Sequence, residues 1–71
     1  MESYGALLKH AREEKMLDFE TISRDTTITS QYLKALEEED EAVFPGEPYL
    51  VGFLGNYADY LGLAHYRRHL A

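Results

Sequence analysis

The chain has 71 residues, no cysteine, and thirteen Asp and Glu against seven Lys and Arg, for a formal net charge of −6. That excludes a disulfide framework, a thiolate metal site and a cysteine nucleophile, and it opposes a phosphate backbone, so nucleic-acid binding starts at an electrostatic disadvantage. No stretch approaches the roughly 20 apolar residues of a membrane span and no basic-then-apolar leader opens the sequence, so these residues read as one soluble domain over 1–71.

From Ser3 to Lys15 the apolar residues Tyr4, Leu7, Leu8 and Ala11 recur at helical spacing, with Ser3 as the N-cap. Asp18 caps a short second helix, Phe19 to Arg24, with Phe19 and Ile22 as its buried positions and Leu17 as a hydrophobic staple. Asp25, Thr26 and Thr27 interrupt it, Ile28 supplies an apolar anchor, and Thr29 or Ser30 caps a third helix that runs to about Glu38 on Leu33 and Leu36, with Tyr32 partly covered. Two short helices joined by a turn of three or four residues have the layout of a helix-turn-helix. The acidic run Glu37 to Glu41 reads as solvated surface, and Phe44 is expected to tuck under the third helix before Pro45 and Gly46 turn the chain.

A fourth helix is predicted over Pro48 to Leu61, with Pro48 in its first turn and Gly62 as a left-handed cap on which Leu63 folds back. It holds most of the aromatic mass, and the upstream helices are expected to pack against it. At about 100° per residue, Leu50, Leu54, Tyr57 and Leu61 make a core stripe, while Tyr49, Phe53 and Tyr60 form a second line roughly 90° away. Either another helix covers that line or a partner does; Tyr and Phe are residue types that concentrate binding energy at interfaces. Gly52 and Gly55 in the same helix would admit the close approach of a backbone, internal or foreign. Ala64 to Leu70 can form a fifth helix, which makes the expected architecture an all-α, compact five-helix domain of the helix-turn-helix, Cro and phage-repressor-like type.

The segments AREEK, LDFETISRDTTITSQYLKALEEED and FPGEPYLVGFLGNYADYLGL together resemble the cytoplasmic N-terminal domains of the RodZ family of bacterial cell-shape proteins, over about Tyr4 to Leu70. The specific part is YLKALEEED followed by the Tyr-x-x-Gly-Phe-Leu-x-x-Tyr-x-x-Tyr-Leu-Gly-Leu helix. The resemblance implies a domain on the cytoplasmic face of the inner membrane, belonging to a longer single-pass protein whose membrane segment is not among these residues. It implies the bacterial actin homologue MreB as partner, contacted through two aromatic positions on the fourth helix that fall on Tyr49 and Phe53. Glu47, Asn56, Asp59 and Tyr60 are the candidate rim. It also implies an ion pair between Arg12 on the first helix and Glu37 near the end of the third. Three positions depart from the family pattern: Glu39 stands where Gly is common, Gly55 where a polar or basic residue is, and Ala64 where Asp or Asn caps the fifth helix.

The alternative function is DNA binding through the third helix, where Ser30, Gln31, Lys34 and Ala35 would face the major groove. The acidic balance weighs against it. No enzyme is expected, because no nucleophile–base pair or phosphate-binding loop is visible, and no cofactor is implied. His65 and His69 have i, i+4 spacing but no third ligand at hand, so no metal site is expected.

Overall fold

The computed structural model describes residues 3–63. In order these are α1 (Tyr4–Glu14), α2 (Phe19–Thr26), α3 (Ser30–Glu38), a 3₁₀ turn (Glu41–Val43) and α4 (Glu47–Tyr60), with no strand among the described residues. The expected fifth helix, Ala64 to Leu70, lies outside them.

The first two helices start on the side chains foreseen for them, and the third on Thr29, one of the two expected candidates. Ser3 accepts from the Ala6 N–H, Asp18 from Thr21 and Thr29 from Tyr32, satisfying donors that the first helical turn leaves unpaired. The hydrogen bond from Thr21 holds the Asp18 carboxyl below the ordinary carboxylate range. α4 starts one residue earlier than predicted, with Gly46 at the cap and Pro48 in the first turn. Its end matches the predicted cap: Gly62 takes φ +80°, its N–H reaches the Asp59 carbonyl, and the Leu63 N–H reaches Ala58 at 2.8 Å.

The hub of the bundle is α3 rather than α4, because α3 contacts α1, α2, α4 and the 3₁₀ turn. Leu33 and Leu36 are fully buried on it, and Leu8, Ile22, Ile28, Phe44, Tyr57 and Leu61 close around them. Aromatic mass makes α4 conspicuous in the sequence, but a helix in contact with all the others must carry small and aliphatic side chains on more than one face. Ala35, at 4 % exposure, shows that α3 does so.

The seam between α1 and the end of α3 is polar. Arg12 forks onto Glu37, with Nε to Oε2 at 2.7 Å and Nη2 to Oε1 at 3.0 Å, and the Tyr57 hydroxyl donates to the same Oε2 at 2.6 Å. The guanidinium also donates to the Leu17 carbonyl and lies over the Phe19 ring, 4.4 Å from its centre. Two further acids hold the start of α1: Glu39 accepts from the Gly5 N–H at 3.1 Å and Glu41 from the Tyr4 hydroxyl at 2.8 Å. Alternate members of the acidic run are therefore fastened to α1, which corrects its reading as merely solvated surface, although Glu38, Asp40 and Glu41 are exposed. Gly5 makes the approach possible, because a Cβ there would stand 2.2 Å from the Glu37 carbonyl oxygen.

Candidate partner-binding surface

One helix, α4, sorts its side chains into three strips. Tyr57, Ala58 and Leu61 point into the core, with Leu50 and Leu54 partly buried beside them. Tyr49, Gly52, Asn56 and Asp59 are exposed, and their i, i+3, i+7, i+10 spacing puts them on one outer face. Phe53 and Tyr60 are half-buried along the edge between the two.

The angular argument left open whether the fold or a partner covers Phe53, and the structure supplies an internal cover. Its ring centre lies 5.0 Å from that of Tyr32 and 6.1 Å from that of Phe44, while Tyr32 and Phe44 stack at 4.9 Å. Periodicity within α4 cannot reveal that arrangement, because the covering rings come from α3 and from the residue after the 3₁₀ turn. Phe53 is thus an anchored, half-buried ring. Tyr49, four residues earlier, has 56 % of its surface exposed.

Tyr60 also has an internal tie. Its hydroxyl donates to the Asp25 carboxylate at 2.6 Å, which raises its pKa and joins the end of α4 to the end of α2. Glu47 and Asn56 are exposed, as is Asp59. Near the first turn of α4 an open cleft is lined by Glu41, Phe44, Gly46, Glu47 and Leu50, so the region beside Tyr49 combines an apolar floor with two carboxylates. Phe44 under α3 and a partly covered Tyr32 are as expected; their joint backing of Phe53 is signalled in the sequence only by their aromatic character.

The alternative surface divides. Ser30, Gln31 and Lys34 are exposed on α3, the second helix of the helix-turn-helix, whereas Ala35 is buried and cannot meet a groove. No group of three metal-ligating side chains gathers among the described residues, and His65 and His69 lie outside them. Among the described residues, no helix is long and apolar enough to cross a membrane.

Residues 7–67 match the family model of the helix-turn-helix domain. No curated protein and no solved structure matches the chain.

Proposed function

The chain belongs to the helix-turn-helix domain family, and on that premise we propose that it is an adaptor domain of RodZ type, binding a subunit of the MreB filament through the outer face of α4. The observation that carries this reading is the pairing on one helix of an exposed Tyr49 with a Phe53 held in place by Tyr32 and Phe44. A ring fixed before binding loses little freedom on binding, and a neighbouring exposed ring adds area that only a partner can cover. Glu47, Asn56 and Asp59 supply the rim, and Tyr60 contributes its ring edge while its hydroxyl stays on Asp25. The acidic surface favours a basic counterpart and faster encounter. In the longer protein implied by the resemblance, the domain would tether the filament to the inner membrane from its cytoplasmic face.

The test is co-sedimentation with polymerised MreB. Wild type pellets with the filament, and folded Tyr49→Ala loses about 2 kcal/mol of binding or more. A wild type that stays in the supernatant overturns the reading.

The second reading is a DNA-binding regulator, favoured by the exposure of Ser30, Gln31 and Lys34 on α3. A net charge of −6 removes the phosphate attraction that such proteins depend on. A duplex shifted at low salt, by a domain that ignores the filament, would favour it.

A further inference from the structure

The glycines of this chain are not equivalent. Gly5 is demanded by the backbone of α3, where an added Cβ would meet the Glu37 carbonyl at 2.2 Å, and Gly62 by its φ of +80°. Gly52 has neither reason: it lies inside α4 and a Cβ there meets nothing within 4 Å. Glycine in a helix interior is destabilising because it gives up the most backbone freedom on folding. Nothing inside the described fold offsets that at Gly52, and the position is on the outer face, three residues after Tyr49 and four before Asn56.

We infer that Gly52 is a contact notch, and that a backbone segment of the filament subunit lies against the α4 main chain there, between Tyr49 and Asn56. This rests on the filament-binding reading above and adds to it the residue that sets how closely the partner approaches. Tyr49 and Phe53 supply apolar anchors on either side of the notch, and the missing side chain lets the partner descend to the level at which both rings are covered. A methyl at Gly52 would lift the partner off the rings although the free domain has room for it.

Stability and binding therefore move in opposite directions on Gly52→Ala. The melting temperature rises by about 4 °C, as expected for replacing an interior helical glycine in a domain of this size. Affinity for polymerised MreB falls about tenfold or more, because overpacking an interface costs as much as overpacking a core. Gly52→Leu, whose Cβ likewise meets nothing within 4 Å, weakens binding further. Gly52→Ala that pellets like wild type, beside a Tyr49→Ala that does not, overturns the notch and keeps the surface. Binding unchanged by both substitutions overturns both.

Discussion

The α1–α3 seam and the outer face of α4 are both built from residues that a simple inside–outside rule misplaces, and they differ in what completes them. In the seam, a charged run is closed internally: Glu37 finds Arg12 and Tyr57, Glu39 the Gly5 N–H, and Glu41 the Tyr4 hydroxyl. On α4, an aromatic line is closed only on one side: Phe53 rests on Tyr32 and Phe44, while Tyr49 is left 56 % exposed. Charge that looks like surface has become architecture, and aromatic mass that looks like core is partly left outward. Substitutions in the seam should therefore act on folding, those at Tyr49 on binding, and those at Phe53 on both.

The largest effect is expected at Arg12. Its side chain is 16 % exposed and that of Glu37 only 5 %, so Arg12→Met leaves a buried carboxylate with the Tyr57 hydroxyl as its remaining side-chain partner. Breaking such a pair from one side costs about 3 kcal/mol or more, a large part of the stability of a small domain. Urea denaturation should show that loss, and Arg12→Met combined with Glu37→Leu should recover most of it, because an apolar pair has no charge to strand. If the single and double variants are equally unstable, the seam is held by packing rather than by charge.

Next comes the contrast on α4. Phe53→Ala removes a ring packed at a tilt against two others and should cost about 2 kcal/mol of stability, measured by thermal denaturation. Tyr49→Ala should stay within about 0.5 kcal/mol of wild type. Equal losses would mean that Tyr49 is covered within the domain and that the two residues do not form the graded edge described above.

A smaller effect separates the regions by pH. Burial, reinforced by the bond to Glu37, pushes the Tyr57 hydroxyl well above its ordinary value of 10.0. The folded pKa is the higher one, so the stabilisation is complete below pH 10 and is lost as the pH rises beyond it. Tyr60, raised by its bond to Asp25, acts in the same direction. Tyr57→Phe should flatten the alkaline loss at a cost of about 1 kcal/mol near neutrality, the ordinary worth of one hydrogen bond. At the acid end the lowered Asp18 pKa works with the opposite sign: its cap contributes above the ordinary 3.8 and is lost as the pH falls below it.

How far these regions could be read in advance depends on the range of the interactions. Ser3, Asp18, Thr29 and Gly62 act within one helical turn, and the helix ends that they define were legible from residue type alone. The period of α4 set Tyr49 off the core stripe but placed it on one line with Phe53 and Tyr60, and only the structure shows Tyr49 exposed where the other two are half-buried. The anchors of Glu39 and Glu41 were not legible, since their partners are 34 and 37 residues away and one of them is a main-chain N–H with no signature in the sequence. The Arg12–Glu37 pair, 25 residues apart, was accessible only through the family resemblance. The backing of Phe53 was hidden for the same reason, and so was the burial of Ala35, whose size suits a central helix but does not announce it.

The smallest effect tests whether Glu39 belongs to the seam or merely ends a helix. Met16 and Glu39 both close a helix in the left-handed region, at φ 56° and 57°, where a side chain is disfavoured and glycine is usual. Met16 is 91 % exposed, so Met16→Gly should relieve that conformation without losing a contact and stabilise the domain by about 1 kcal/mol. Glu39→Gly obtains the same relief but gives up the acceptor for the Gly5 N–H, one of the donors that the first turn of α1 leaves unpaired, worth about 1 kcal/mol. The two changes should nearly cancel at Glu39. Thermal denaturation of both variants then measures the remote cap as the difference between them: a gap of several degrees assigns Glu39 to the seam, and equal gains would show that the carboxylate contributes nothing that water at the end of α1 does not supply.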